Sequence, residues 1–239
     1  MKSFHTTSTF SGKITQGITL GFLTEQTLTY VYQCLPKWRD NPKEPPTGNE
    51  ENFNENFCSF LMAQSTHLHS MIFFYPEPRE DSPYRVDISA KPKAICHIVG
   101  GSFTFNTPFL VIEAKRLPPP DKGKQRKKEY VTSGSEDKVC GGIQRFKLSR
   151  HGTKLKLAGM IGYIEKHDST YWHGQINHWI NELHGKPQEH GESWSSSEQL
   201  ETLIIDAKKR TAQTRSYHSR IGEAVSSEIE LRHFFVEMN

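Results

Sequence analysis

The ten residues at positions 109–118, Phe-Leu-Val-Ile-Glu-Ala-Lys-Arg-Leu-Pro, decide how the rest of the chain is interpreted. The four consecutive apolar residues at 109–112 predict a β-strand that is buried on both faces. This strand runs directly into Glu113, Ala114 and Lys115. Because alternate side chains of a strand share a face, we expect Glu113 and Lys115 on the same side of the sheet. Two charges at the buried end of a strand are costly unless they meet each other, a metal ion or a ligand.

The pair of charges suits metal-dependent cleavage of phosphodiesters, provided that a second acid lies nearby. In such a site Glu113 would bind a hard cation, and Lys115 would position or deprotonate a water molecule or stabilise charge on the phosphate. The alternative is an edge strand whose Glu–Lys pair leans into solvent, because Glu-x-Lys is a common pattern. A nearby acid would favour the first interpretation.

Two acids upstream are candidates for this role. Residues 84–90, Tyr-Arg-Val-Asp-Ile-Ser-Ala, alternate as in a half-buried strand and place Asp87 in its middle. Aspartate is rare in strand interiors, so an aspartate at this position suggests a specific role. A helix predicted at about 50–64 begins with Glu50, on the same face as its phenylalanines. The presence of Glu50 at this position is explained equally well if its negative charge simply complements the helix dipole.

A basic segment follows the predicted strand. Residues 121–128 have no apolar periodicity, which predicts a mobile loop. Its root is close to Lys115 in the chain, so the loop could clamp phosphates, although such runs are usually only solvated. The candidate phosphate-binding residues of this loop are Lys122, Lys124, Arg126, Lys127 and Lys128.

Composition limits the other possibilities. Of the 239 residues, 34% are hydrophobic and 24% are charged, as in a soluble protein with its own core. No apolar run approaches the ~20 residues of a membrane helix, and none follows the first residues as in a secretory signal, so we expect a cytoplasmic protein without a membrane partner. The four cysteines are widely spaced, which favours buried thiols over a disulfide framework or zinc knuckle. The twelve histidines show no spacing that suits a metal site.

The remaining patterns complete a chain of alternating helices and strands. A helix is expected from a cap at Thr24 to Pro36. A second is expected behind a capping box at 133–136, with Gln144 and Arg145 beside its apolar stripe, ending near Gly152. A third begins at Asp168 and closes at Gly185. Further strands are predicted at 71–75, 94–99, 155–164, 200–207, 213–219 and 229–238, with a linker at 186–199.

The order of these features resembles that of the PD-(D/E)XK nuclease superfamily. The shared order is a helix that starts with an acid, a strand with Asp87, a strand with Glu113-Ala-Lys115, a helix with Gln144 and a further strand. The resemblance covers residues 48–184 and implies an α/β (α+β) chain with the restriction-endonuclease-like fold, a mixed central sheet flanked by helices. Residues 1–47 would form an N-terminal helical extension, and residues 185–239 a strand-rich extension packed on this core. Val86 stands where the family name has proline, and the insert after the Lys115 strand is long.

The resemblance also implies roles for individual residues. Asp87, Glu113 and the backbone carbonyl of Ala114 would coordinate Mg²⁺ or Mn²⁺, and Lys115 would orient the attacking water. Gln144 and Glu50 would be accessory catalytic residues. Arg145 is expected to join the basic loop in binding nucleic acid.

The function implied is that of a metal-dependent endonuclease, for example an effector of bacterial antiviral defence or restriction. DNA is the expected substrate, and the sequence leaves RNA open as the alternative. A homodimer or a partner protein of a defence complex would fit this role. The alternatives are a nucleic-acid- or partner-binding module that keeps the fold without cleaving, and a structural subunit in which the Glu-x-Lys pattern is coincidental.

Overall fold

The computed structural model describes residues 19–76, 86–94, 96–98, 101–103, 106–120, 126–132 and 141–239. The helices are α1 (Leu20–Arg39), α2 (Glu50–Gln64), α3 (Gly142–Lys147) and α4 (Ser169–Leu183). The strands are β1 (Ile72–Tyr75), β2 (Ile88–Pro92), β3 (Cys96–Ile98), β4 (Gly101–Phe103), β5 (Leu110–Leu117), β6 (Leu157–Ile164), β7 (Ile204–Asp206), β8 (Thr211–Ser219) and β9 (Glu228–Glu237).

Seven of these strands form one mixed sheet in the order β1-β2-β5-β6-β9-β8-β7. The three central strands, β5, β6 and β9, run parallel, and the outer pairs are antiparallel. β3 and β4 pair separately as a small two-stranded sheet. The predicted mixed α/β architecture, a central sheet flanked by helices, is therefore confirmed. The C-terminal strands belong to this same sheet, since β9 pairs along its length with β6.

Two apolar cores cover the two faces of the sheet. The first joins α1 and α2 to the sheet through residues such as Trp38 and Phe57. The second contains Phe146 of α3 and Trp179 of α4. β5 contributes alternate residues to both cores, so the prediction of a strand buried on both faces is confirmed.

Local signals set the ends of two helices as expected. Asn49 caps α2 through a reciprocal capping box with Asn52. Asp168 caps α4 by accepting a hydrogen bond from the amide of Tyr171. Gly185, with a φ of 68°, follows the end of α4 in the left-handed conformation that glycine adopts readily. Cys34 and Cys58 are buried free thiols, as predicted.

Helix α1 is longer than the sequence predicts, at both ends. It is capped by Thr19 rather than Thr24, and it continues through Pro36 to Arg39. A proline inside a helix costs about 3 kcal/mol because it removes a hydrogen bond and crowds the preceding turn. Tertiary contacts hold the last turn: Trp38 is fully buried, and Arg39 donates to the backbone carbonyls of Arg210 and Glu237.

Two elements that carry candidate residues also differ from expectation. Asp87 lies immediately before β2, which begins at Ile88, and not in the middle of a strand. Helix α3 begins at Gly142 and ends at Lys147, so it has six residues and stops well before Gly152. The expected capping box at 133–136 lies outside the described residues. The predicted linker at 186–199 is partly packed, because Glu192, Trp194 and Glu198 are buried.

Candidate functional site

The candidate site forms where β2 and β5 stop pairing. Their ladder ends at the pair Ile88–Ile112. Beyond it, carboxylates take the place of a neighbouring strand: the amide of Ala114 donates to Asp87 Oδ2 at 2.8 Å, and the amide of Arg116 donates to Glu50 Oε2 at 2.9 Å. Backbone amides that lack a strand partner need another acceptor when they are buried. This requirement brings two acids, distant in the chain, to one edge of β5.

Lys115 lies at the centre of these acids. Its ammonium is 3.1 Å from Glu50 Oε1, 3.4 Å from Asp87 Oδ2 and 3.0 Å from Glu113 Oε1, and it donates to the carbonyl of Ala114 at 2.8 Å. Burial opposes its charge, but the three carboxylates outweigh burial and hold the pKa of Lys115 well above its usual value. Lys115 is therefore an ammonium at neutral pH. In this arrangement it can orient a water or a phosphate, but it cannot accept a proton.

Glu113 is completely buried and meets a second cation. Its Oε1 accepts a hydrogen bond of 2.5 Å from Arg145 Nη1, in addition to its contact with Lys115. Its Oε2 lies 3.3 Å from His151 Nε2 and has no hydrogen-bond partner among the described residues. Burial works against ionisation, but Lys115 and Arg145 overcome it and keep the pKa of Glu113 well below its ordinary value. Glu113 is thus a buried carboxylate with two cations at one oxygen and a histidine beside the other.

Asp87 shows the opposite shift. Its side chain is 22% exposed. Burial, followed by repulsion from Glu113, raises its pKa to about 7, and Lys115 offsets only part of this effect. Two carboxylates that repel each other in this way are stabilised in their ionised form by an additional positive charge between them.

The structure brings together the predicted catalytic and metal-binding residues except Gln144, and adds Arg145 from the predicted nucleic-acid-binding set. We call this set the Lys115 cluster: Glu50, Asp87, Glu113, Ala114, Lys115, Arg145 and His151. Gln144 is next to Arg145 on α3, and its amide donates to Glu192 Oε1 at 2.6 Å. Its predicted accessory catalytic role stays a prediction.

The basic loop is only partly described. Lys122 and Lys124 lie outside the described residues. Arg126 pairs with Glu129 at 2.7 Å, and Lys128 pairs with Glu182 at 2.7 Å, so each already meets an acid of the same chain. Lys127 is exposed. Its contact with nucleic acid, like that of the other basic residues, stays a prediction.

His151 is the member of the cluster that sequence reasoning missed. It follows the short helix α3, and a tight turn returns it toward the helix: the amides of Arg150 and His151 lie 2.8 and 3.3 Å from the carbonyl of Arg145. His151 is buried, and this turn places its Nε2 3.3 Å from Glu113 Oε2, whereas Lys115 contacts Oε1. A histidine just before a glycine gives no local signal of such a contact.

The cluster offers oxygen ligands of the kind that hard cations prefer. Asp87, Glu113 and the carbonyl of Ala114 all contact the ammonium of Lys115, and Glu113 makes its closest contact with that ammonium through Oε1. Within the described residues, no group of three or more His, Cys, Asp or Glu side chains is arranged to hold a metal ion. Carboxylate and carbonyl oxygens are nevertheless the ligand type that Mg²⁺ takes, and Mg²⁺ keeps several water ligands and needs few from the protein.

No protein-family model, curated protein or solved structure matches the chain. None of the helices in the described part of the chain is long and apolar enough to span a membrane. A function has to be inferred from the chemistry of the Lys115 cluster.

Proposed function

We propose that the chain is a metal-dependent endonuclease of the PD-(D/E)XK type, with a restriction-endonuclease-like fold, which hydrolyses phosphodiester bonds in DNA. One observation carries the proposal: three acids converge on the buried ammonium of Lys115. The second oxygen of one of them, Glu113, is buried and lies 3.3 Å from His151 Nε2 without a well-aligned hydrogen bond. Buried carboxylate oxygens are usually satisfied by a hydrogen bond or an ion, and a cation would satisfy this one.

Asp87, Glu113 and the carbonyl of Ala114 would hold Mg²⁺ or Mn²⁺ in this proposal. When bound, the cation would supply a Lewis acid for the phosphate and a lower pKa for the attacking water. Lys115, held as an ammonium by three carboxylates, would orient that water and stabilise charge on the phosphate. Glu50 would keep Lys115 and the edge of β5 in place through its two oxygens.

The charges of the cluster fit a phosphodiester. Glu50 and Glu113 balance Lys115 and Arg145, and Asp87, whose pKa is raised to about 7, adds one negative charge when it is ionised. A divalent cation would change this to one net positive charge, and the single negative charge of a phosphodiester would restore neutrality. A phosphate monoester carries close to two negative charges at neutral pH and would leave the site negative again.

The family resemblance extends the proposal in two ways: the substrate would be DNA, and the protein would act in antiviral defence. Cutting both strands of a duplex would take two such sites, which a homodimer or a partner protein could supply. A cytoplasmic location is part of the same proposal.

The test is cleavage of plasmid DNA, single-stranded DNA and RNA with Mg²⁺, Mn²⁺ or a chelator. We expect metal-dependent nicking of DNA by the wild type, and a loss of more than about 100-fold in Asp87→Asn and Glu113→Gln, which keep the shape of each side chain but remove its charge. Asp206→Asn is the matched control, because Asp206 pairs with Lys209 on the surface strand β7. If the wild type cuts none of these substrates with either metal, the proposal is wrong.

A second candidate is a nucleic-acid- or partner-binding module without catalysis. It is favoured by the contacts that already occupy the acids, since Asp87 and Glu50 cap backbone amides and Arg145 neutralises Glu113. This candidate predicts that Asp87→Asn leaves the binding of every ligand unchanged. Calorimetric titration of the wild type and Asp87→Asn with Ca²⁺ and with DNA separates the two functions.

A further inference from the structure

The edge strand β1 carries aromatic side chains on both of its faces. Ile72 and Phe74 point into the first core. Phe73 and Tyr75 point the other way: Phe73 is 39% exposed, and Tyr75 is half-buried. On the outward face of an antiparallel strand, polar residues are the rule. Two neighbouring aromatic rings at such positions indicate a surface that meets a ligand.

The register of the sheet places these rings on the same face as the acids of the Lys115 cluster. Tyr75 pairs with Ser89 of β2, and Ser89 pairs with Val111 of β5. Paired residues of antiparallel strands point to the same side, and so do alternate residues of one strand. Val111 is two residues before Glu113, and Asp87 is two residues before Ser89. Tyr75 is therefore a neighbour of Asp87 on this face, since diagonal neighbours on adjacent strands are about 7–8 Å apart.

The second core does not extend over the two rings. Of the described residues, its members reach the sheet through β5, β6, β8 and β9, and none belongs to β1. The rings of Phe73 and Tyr75 stack on each other, with centroids 5.9 Å apart and planes 29° apart. Lys91 pairs with Phe73 across the strands, and its ammonium lies 5.4 Å from the centre of the Tyr75 ring. Sites for single-stranded nucleic acid combine aromatic rings and positive charge in this way.

We propose that Phe73 and Tyr75 form a stacking platform for the bases of single-stranded DNA, beside the Lys115 cluster that would cut the strand. This inference rests on the proposed function for the kind of ligand. The bases of a duplex stack on each other, whereas unpaired bases offer their faces to a protein. The platform thus deepens the proposed function: the nuclease would act on single-stranded or unpaired DNA in preference to a duplex.

The test is the binding of labelled DNA, measured by fluorescence anisotropy with Ca²⁺ as the probe cation. Three ligands are compared: a single strand, a strand of the same length made of abasic nucleotides, and a duplex. We expect Phe73→Ala to bind the single strand about tenfold more weakly than the wild type does, because one stacking ring is gone. Its affinity for the abasic strand and for the duplex should stay the same, since neither offers the face of a base.

Phe22→Ala is the matched control. Phe22 is 53% exposed on α1, which packs on the opposite face of the sheet, and its replacement should change none of the three affinities. Phe73→Leu is the second variant, since it keeps an apolar side chain on β1 if alanine weakens the strand. It has no ring, so it should also bind the single strand more weakly. Phe73→Trp keeps a ring and should bind the single strand at least as tightly as the wild type.

Several outcomes would overturn the platform while leaving the proposed function intact. One is an unchanged affinity of folded Phe73→Leu for the single strand, although the wild type cuts DNA. Another is an equal loss of affinity for the abasic strand, because the contact would then not depend on bases. A wild-type dimer that dissociates in Phe73→Ala, measured by analytical ultracentrifugation, would make β1 an interface between two copies instead.

The remaining outcomes bear on the ligand and on the cleavage. Tighter binding of the corresponding RNA strand than of the DNA strand would overturn DNA as the ligand of the platform. Binding that depends on Phe73 and on bases, without cleavage in Mg²⁺ or Mn²⁺, would support the platform and refute the nuclease. If the wild type neither binds nor cuts any of these ligands, the proposed function fails and this inference fails with it.

Discussion

Lys115 and Lys147 are both buried, yet their surroundings differ. Lys147 on α3 meets one carboxylate directly, Glu198, at 2.5 Å, and burial lowers its pKa. Lys115 meets three carboxylates, which raise its pKa despite burial. Both oxygens of Glu198 are hydrogen-bonded, to Lys147 and Ser219 on one side and to the amide of Ser195 on the other. In the Lys115 cluster, by contrast, one oxygen of Glu113 has no hydrogen-bond partner among the described residues.

This difference separates a structural ion pair from a candidate site. The Lys147–Glu198 pair is balanced, and it ties α3 to the end of β8 through Ser219. In the Lys115 cluster three acids share the ammonium of Lys115, and Glu113 Oε2, 3.3 Å from His151 Nε2, makes no well-aligned hydrogen bond within the described residues. Burial of charge alone is therefore a weak sign of function, whereas buried negative charge in excess of its partners favours a cation-binding role.

The largest effect on stability is expected at the balanced pair. Glu198→Gln should lower the free energy of unfolding by about 3–5 kcal/mol, because it leaves the buried ammonium of Lys147 without its counter-ion. Urea denaturation measures the change. Glu201→Gln is the control, because Glu201 and Arg215 are both about half exposed, and the loss of such a pair should cost less than about 1 kcal/mol. Equal effects for the two variants would show that the Lys147 pair is not structural.

Cation binding should stabilise the protein through the Lys115 cluster. At a Ca²⁺ concentration of about 100 times its Kd, the free energy of unfolding should rise by about 2.7 kcal/mol. Glu113→Gln should abolish this gain, whereas Glu198→Gln should keep it. A gain of the same size in Glu113→Gln would place the cation elsewhere.

Acid should destabilise the polar network beside Lys147. His233 is buried between the hydroxyls of Tyr130 and Ser216, and Ser216 also contacts His218. Burial lowers the pKa of His233 to about 3, so this group contributes stability above the unfolded-state pKa of about 6.5 and loses it as the pH falls toward 3. Between pH 7 and pH 5 the loss from His233 should be about 2 kcal/mol, and His218, whose pKa is also lowered by burial, should add to it. Urea denaturation at the two pH values measures the loss, and His233→Gln should reduce it.

The smallest effect on stability is expected for Asp87→Asn. Asparagine can still accept the hydrogen bond from the amide of Ala114, and the change removes the repulsion between Asp87 and Glu113. The free energy of unfolding should therefore stay within about 1 kcal/mol of the wild type, even though cation binding is lost. A loss as large as that of Glu198→Gln would mean that the acids of the Lys115 cluster serve folding first.

Local sequence patterns were sufficient to predict the buried strand at the centre of the sheet, the mixed α/β class and the placement of Glu113 and Lys115 on one face. These features follow from apolar runs and from the two-residue period of a strand, which act over a few neighbouring positions. The helix that starts with Glu50 and the helix capped by Asp168 were predictable for the same reason, because capping is local.

Long-range packing sets which groups meet Glu113. His151 reaches it through a turn after a six-residue helix, and Arg145 reaches it from that helix. Neither contact follows from spacing along the chain. Packing also extended α1 through Pro36, since long-range contacts of Trp38 and Arg39 outweigh the local preference to stop. Which side chains meet across a sheet depends on burial, charge and chain connectivity throughout the molecule. A local sequence pattern does not carry this information.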